Sequence, residues 1–573
     1  MRFMMVPLAA ASLLAAQPQF RTHNDRFDPP RFASAEAWTA RAQLLRAHVL
    51  ASAGLMPMPE RTPLRPVIFD EVRHADYTVS KVYFESLPGF FVTGNLYRPV
   101  GPGPFPAILS PHGHWTYGRL ENTSLNSGPG RAIGLARQGF VVFTHDMVGY
   151  GDSRQLPHTF GGRRESLWGL SLGGLQLWNG IRALDFLETL PDVRRDGFGV
   201  TGESGGGTQT FLLASIDPRV AVAAPVNMIS LHMQGGCLCE NMPGLRLDTN
   251  NVEIAATIAP RPLLMVSATG DWTAETLEAE YPAVRDLYAL LGARSNVHAV
   301  RFTAEHNYNK DSREAMYAWM ARWLQHAPED VKKPERSFSV DRITDLLVFY
   351  NRPLPDGAVT AAQLTDRWIA SARTQLAATD RPILEAGLRH ALGFAAGSPP
   401  PAPSPKSARR IAVVAGSQPE VEVLLRKAGF DIRPVQFTPF DAAAAGKVQH
   451  FETYNRTAAS QKVADIVAAL RESPSAVLVA NGDAALPALL AAAIVPIRKA
   501  VVNVGGFDTS SDAQFVERVY IPGLRRAGDF QTAVGMARGE VIVHGAGDRF
   551  RVPGIRVERE VLTPGDIAAH ARK

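Results

Sequence analysis

Residues 198–211 read FGVTGESGGGTQTF, and the turn inside this stretch decides how the rest of the chain is read. Gly202-Glu203-Ser204-Gly205-Gly206 fits the pattern G-x-S-x-G, in which a serine sits on a sharp turn between a buried strand and a helix. Phe198 and Val200 supply a short, strand-like apolar run before it. Gly202, Gly205 and Gly206 permit a tight turn and a close helix approach that bulkier residues would block. The segment from Thr208 to Ser215 is compatible with a helix, so Ser204 is the expected nucleophile.

A second match, Gly169-Leu170-Ser171-Leu172-Gly173, is expected to be a decoy. The residues before it, GGRRESLW, place two arginines and a glutamate where a buried strand should be. The run LQLWNGIRALDFLETL that follows is an amphipathic helix beginning near Ser171, a residue type favoured at helix starts.

Working outward, an entry helix is expected over Ser34 to Leu55 and a strand pair over Val79 to Pro99, turning at Leu87-Pro88-Gly89. PFPAILSPHGHW (104–115) is an apolar strand running into a loop with His112 and His114. GFVVFTHDMVGYGDSR (139–154) is a buried strand ending at Asp146, which reads as a turn carboxylate because it precedes the serine. Downstream, AVAAPVNMIS (221–230) is a strand followed by a long irregular loop. APRPLLMVSATGDW (259–272) is a strand ending at Asp271, and VHAVRFTAEHNYNK (297–310) is one ending at His306. Ser204, Asp271 and His306 each follow an expected strand, in that order. A serine hydroxyl is a poor nucleophile at its free pKa. His306 would take its proton and return it to the leaving group, and Asp271 would fix the imidazole tautomer. Glu275 and Glu305 are the nearby alternatives for the acid.

The region from about 35 to 330 resembles the α/β-hydrolase superfamily, closest to its acetyl xylan esterase and dienelactone hydrolase-like branch. The matching residues are HGHW (112–115), DMVGYGDS (146–153), GESGG (202–206), GD (270–271) and EHNY (305–308). The resemblance implies an α/β-hydrolase fold, a doubly wound and mostly parallel sheet, and hydrolysis of a carboxylic ester without a cofactor. In such an arrangement the backbone N–H of Gly205 and one from the loop after the first parallel strand, here that of His114, form the oxyanion hole. Trp115 and Trp272 are candidates for a stacking platform under a sugar ring.

Composition narrows the partners. Lys and Arg number 60 against 55 Asp and Glu, a net charge of +5 without a long basic run, so nucleic acid is not expected and a small-molecule or carbohydrate ester is. The first residues, MRFMMVPLAAASLLAA, resemble a secretory signal peptide over 1–16, which predicts a secreted or periplasmic protein. No other segment is apolar enough to span a bilayer. The only two cysteines, Cys237 and Cys239, exclude a disulfide framework. A zinc site would need about four ligands, and His232 and Glu240 are the only close helpers in sequence. His112 and His114 lack a third ligand at useful spacing, so no metal is expected. A local disulfide in an oxidising compartment and two ordinary thiols both remain open.

At 573 residues, more than one domain is expected. The reading is a signal peptide (1–16), an N-terminal helical segment (17–65), a catalytic domain (66–335), connecting helices (336–396), a linker (397–407) built on GSPPPAPSPK, and a second domain (408–573) packed on the first. The second domain alternates strands and helices. Gly482-Asp483-Ala484-Ala485 falls where Gly202-Glu203-Ser204-Gly205 does, and Gly547-Asp548 where Gly270-Asp271 does. No histidine follows its last strand at the matching place, His570 being in a terminal helix. This suggests a shortened, degenerate copy of the first domain, the rival being an unrelated doubly wound domain. Two other functional readings compete with an esterase: a peptidase or amidase using the same triad, as in prolyl oligopeptidase-type enzymes, and an inactive binding protein. About 65 residues before the first expected strand leave no room for the propeller such peptidases usually carry.

Overall fold

The computed structural model describes residues 20–395, 410–473 and 475–573. The expected signal peptide and proline-rich linker lie outside these residues. Among the described residues no helix is long and apolar enough to cross a membrane.

The first domain is built on nine strands: β1 (Val67–Arg73), β2 (Tyr77–Leu87), β3 (Phe90–Pro99), β4 (Phe105–Leu109), β5 (Val141–His145), β6 (Val193–Glu203), β7 (Val220–Val226), β8 (Leu263–Gly270) and β9 (Val297–Glu305). They lie in the order β1-β2-β3-β5-β4-β6-β7-β8-β9. β1 to β3 pair antiparallel, β3 meets β5 antiparallel, and the rest are parallel. Strands buried on both faces read as unbroken apolar runs, and β5, VVFTH, is buried at every position. β1, VIFDEVR, has no buried position and forms an exposed edge that the sequence reading did not anticipate.

Helices cover both faces. Among them are Leu172–Thr189, Gly205–Ile216 and Lys310–Leu324. The entry helix runs Ala35–Ser52. Ser171 is the N-cap of helix 172–189, its hydroxyl accepting from the Gly174 amide at 3.2 Å, with an ordinary extended backbone. Asp146 lies sealed beneath β3: it accepts from Thr93 Oγ1 at 2.7 Å and the Asp152 amide at 3.0 Å, and pairs with Arg119.

Residues 410–573 form a second, all-parallel sheet of six strands: β10 (Arg410–Ala415), β11 (Phe430–Pro434), β12 (Val477–Ala480), β13 (Lys499–Asn503), β14 (Glu540–His544) and β15 (Arg556–Val557). Their order is β11-β10-β12-β13-β14-β15. The parallel strands of the first sheet run β5-β4-β6-β7-β8-β9, the same second-first-third-to-sixth arrangement. Ser204 and Ala484 both come after the third strand of their series, Asp271 and Asp548 both after the fifth. The turn at Ala484 is not an elbow, however. Ala484 has φ −90° and ψ −12°, and the positive φ, 58°, passes to Gly482. With no side chain to be thrust above the sheet, the chain takes an unstrained helical entry. Asp548 is exposed and pairs with Arg559 at 3.0 Å.

Candidate active site

The strand β6 is buried from Gly197 to its end at Glu203 and delivers the chain into Ser204, whose φ of 54° and ψ of −122° lie in a region that non-glycine residues rarely adopt. Such a conformation costs about 1–3 kcal/mol and persists only where the surroundings impose it. Here the Ser204 amide donates to the Val226 carbonyl at 3.1 Å, and its carbonyl starts helix 205–216 by accepting from Thr208 at 2.9 Å. The turn presses against the end of β4: a Cβ at Gly206 would stand 2.5 Å from the Pro111 oxygen.

Asp271 and His306 come together at the ends of β8 and β9. His306 Nδ1 donates to Asp271 Oδ2 at 2.8 Å, and the Asp271 side chain is 2% exposed. The other carboxylate oxygen accepts from the Thr273 amide at 2.8 Å and from the Thr273 hydroxyl. Glu275 is committed to Arg26 at 2.8 Å on the surface, and Glu305 is exposed, so neither takes the place of Asp271. The His306 ring lies between two indoles, Trp272 with centroids 4.5 Å apart and Trp115 at 6.5 Å and 19°.

The loop after β4 is held by a residue the sequence reading passed over. Glu203, the variable position before the serine, is fully buried. Its Oε1 accepts from the Gly113 amide at 3.1 Å and from Trp115 Nε1 at 2.7 Å, and its Oε2 pairs with Arg131 at 3.2 Å. Arg131 also donates to Ser110 and lies over the Tyr308 ring, 4.4 Å from its centroid. The only clue in the sequence was a charged residue closing the buried, uncharged half of the strand, FGVTG. With Gly113 so engaged, the next amide, that of His114, has no hydrogen-bond partner among the described residues. The Gly205 amide, first in its helix, has no intrahelical acceptor.

No protein-family model matches the chain. Among solved structures, methylesterase BT1017 is 30% identical, with a TM-score of 0.50, covering 60% of this chain and 78% of its own. The chain belongs to the esterases of the α/β-hydrolase superfamily. A Bacillus subtilis (strain 168) relative, YtaP, which carries a hydrolase assignment, is 26% identical over 258 residues, 42% of this chain and 84% of that protein. A Bacteroides fragilis NCTC 9343 protein assigned as an acetyl xylan esterase is 18% identical with a TM-score of 0.41, covering 48% of this chain and 78% of that one.

Beside the strained serine, this α/β-hydrolase assembles a cluster that its sequence spacing concealed. Nitrogen or sulfur atoms of His114, His158, Cys237 and Cys239 all lie within 4.8 Å of one another, His114 Nε2 being 3.0 Å from Cys239 Sγ. The helpers expected from proximity in sequence are elsewhere. His232 faces Arg26 and Glu275, and Glu240 Oε2 is occupied by the amides of Gly236 and Cys237. His112 is spent as well: it donates from Nδ1 to the Gly113 carbonyl at 2.7 Å and accepts at Nε2 from the Met147 amide at 3.0 Å. Burial pushes its pKa well below the usual histidine value. Within the cluster, the contact with Cys239, against the effect of burial and with help from His114 and His158, pulls the Cys237 thiol down to about 2. Burial, then the Cys237 contact, pushes Cys239 well above the usual thiol value. Spacing along the chain paired His114 with His112, but the fold sets it instead beside His158 and the two cysteines.

Proposed function

We propose that this esterase is a serine carboxylic ester hydrolase acting on an esterified carbohydrate, with Ser204, His306 and Asp271 as its triad. The observation that carries the reading is the 2.8 Å His306–Asp271 hydrogen bond at the ends of β8 and β9, set in a fold whose strained turn presents Ser204. With Nδ1–H given to Asp271, Nε2 of His306 is the free base. It takes the Ser204 proton as Oγ attacks the ester carbonyl, and Asp271 stabilises the imidazolium. The oxyanion of the tetrahedral intermediate is received by the unpartnered amides of Gly205 and His114. The imidazolium then protonates the leaving alkoxide, and water repeats the sequence to release the acid. Trp115 and Trp272 bracket His306, which supports a role in holding the ring; a sugar would meet only their remaining faces.

The sequence pointed to an acetyl group on a xylan-like sugar. The 30% identity to a methylesterase favours a second reading, a methyl ester. On a carbohydrate, that ester must sit on the carboxyl of a uronic acid. Export, as the N-terminal sequence suggests, suits a polymeric substrate of either kind.

The second domain fits a degenerate repeat that braces the first. The shared strand order supports this, although doubly wound folds of other kinds have it too. Bracing is supported by backbone hydrogen bonds from Gly523 to Ser166 at 2.7 Å and from Gly244 to Glu452 at 2.7 Å, and by Trp168 Nε1 donating to Asp512 at 2.9 Å.

Hydrolysis of p-nitrophenyl acetate by the protein and its Ser204→Ala and Ser171→Ala variants tests the triad. Ser204→Ala should lose about 10⁴-fold or more of kcat, whereas Ser171→Ala should keep it. The reverse pattern would overturn the assignment. Acetate release from acetylated xylan against methanol release from a methyl-esterified polyuronide then separates the two esters, and an anilide substrate addresses amidase activity.

A further inference from the structure

We propose that His114, His158, Cys237 and Cys239 form a closed, four-ligand site for a zinc-type divalent cation, which ties the loop after β4 to the two loops packed against it. The four residues come from three separate loops, following β4, β5 and β7, yet their donor atoms converge to within 4.8 Å of one another. Zinc bonds of about 2.0–2.3 Å to nitrogen and sulfur imply tetrahedral edges of roughly 3.3–3.8 Å, so the cluster needs only a small contraction to close around an ion. Two imidazoles and two thiolates select zinc over magnesium or calcium, which prefer oxygen.

An independent observation points the same way. His158 donates from Nδ1 to the Val148 carbonyl at 2.6 Å, which fixes the tautomer with the lone pair on Nε2. That Nε2 is buried and has no hydrogen-bond partner. A half-buried imidazole anchored through Nδ1 to a backbone carbonyl, with Nε2 among two sulfurs and a second imidazole, has the arrangement of a metal-bound histidine.

The cysteine loop is also fixed before any ion arrives. Glu240 Oε2 accepts from the Gly236 and Cys237 amides at 2.9 and 3.0 Å. Asn241 Nδ2 donates to the Cys237 carbonyl at 2.8 Å, and Gln209 Nε2 to that of Cys239 at 3.4 Å. The capping of the short helix 238–240 by Glu240 and the contacts of Asn241 and Gln209 thereby hold both sulfurs beside the two histidines.

With four protein ligands the site has no open position and holds structure instead of activating water. Its consequence for catalysis rests on the esterase reading, while ion binding does not. The His114 ring lies against the serine turn, where a Cβ added at Gly205 would stand 2.5 Å from His114 Cε1. Fixing this ring fixes the spacing of the Gly205 and His114 amides that would receive the oxyanion.

Cobalt(II) titration of the full chain, stripped with a chelator and kept reduced, tests the site. One equivalent should bind with a thiolate-to-cobalt charge-transfer band and the ligand-field bands of tetrahedral cobalt, and zinc should bleach both. Cys239→Ser should diminish the charge-transfer band, and His158→Gln should weaken binding at least tenfold, with circular dichroism reporting whether each variant is folded. Substoichiometric uptake by the unmutated protein, octahedral bands, or a Cys237–Cys239 disulfide that takes up no metal after reduction would each overturn the proposal. Ser204→Ala should bind cobalt like the unmutated protein, which keeps the ion site distinguishable from the triad. Zinc-loaded protein should exceed stripped protein about a hundredfold in kcat for p-nitrophenyl acetate, with little change in KM, the size of effect expected from one misplaced oxyanion donor. Equal kcat would overturn the tie to the loop and leave the ion structural elsewhere.

Discussion

The Asp271 side chain has almost no contact with water, yet three groups are arranged around its two oxygens, His306 on one and the Thr273 amide and hydroxyl on the other, while Trp272 lies over the histidine it holds. Both oxygens are thus satisfied while the negative charge stays directed at one imidazole nitrogen. Asp271→Asn would keep the shape and reverse the demand, since an amide NH₂ facing Nδ1 favours the tautomer with its proton on Nε2. We expect kcat to fall about 10⁴-fold while the unfolding midpoint changes little, measured by ester hydrolysis and thermal denaturation of the same preparations. The residue scale is also where sequence reading succeeded and failed most visibly. Ser204, Asp271 and His306 could be singled out because each follows a strand expected from the sequence and a serine mechanism needs them in that order, and the fold brings Asp271 and His306 within hydrogen-bond distance. Glu203 was not, since the pattern treats its position as free. His158 was invisible because nothing in its neighbours (LPHTF) distinguishes it from a surface residue. Its significance arises only when loops separated by about eighty residues meet.

At the scale of elements, the loop after β4 is positioned by an ion pair that has no access to solvent. Glu203 and Arg131 are both essentially unexposed, and between them they hold Gly113, Trp115 and Ser110. Removing one charge of a buried pair costs about 3–5 kcal/mol, because the other is left uncompensated, whereas removing both can be nearly neutral. Glu203→Gln keeps the acceptor for Gly113 and Trp115 but strands Arg131. Urea unfolding should therefore show a loss of about 3 kcal/mol, most of which the double variant Glu203→Gln, Arg131→Met recovers. A double variant no more stable than the single would mean that hydrogen bonds to the loop, and not the charge pair, supply the stability. The strands themselves were easily foreseen as apolar runs bounded by turns. β1 escaped because its apolar run, Val67-Ile68-Phe69, is only three residues long and gives way to two acids.

For the whole molecule, the buried histidines set the acid limit. Burial, reinforced by Arg119 nearby, lowers the His145 pKa to about 4, and burial lowers His544 to about 4 as well. The unfolded chain takes up these protons near pH 6.5, and the folded chain does so only near pH 4. Stability is therefore unaffected above about pH 7 and falls as the pH drops through that window. At about 1.4 kcal/mol per pH unit, His145 alone would remove on the order of 3 kcal/mol by pH 4. Unfolding midpoints measured from pH 7.5 to 4.5 should decline, and His145→Gln should flatten the decline; an unchanged slope would shift the responsibility to other groups. The division into two sheets was visible in the proline-rich run and the renewed alternation of strand and helix. The conformation of each serine-like turn was not, because G-x-S-x-G and N-G-D-A-A differ by side chains while strain resides in the backbone.

That contrast has an outcome over generations. At Ser204 the chain keeps an unfavourable dihedral pair in place because a hydroxyl has to stand clear of the sheet. At Ala484 the corresponding segment has relaxed into an ordinary helical turn. On the proposal that Ser204 is the nucleophile and the second domain a degenerate repeat, residues 481–485 are free to drift in any direction that preserves packing, while residues 202–206 are held by sterics and chemistry together. Within one polypeptide, the two turns should therefore accumulate change at very different rates.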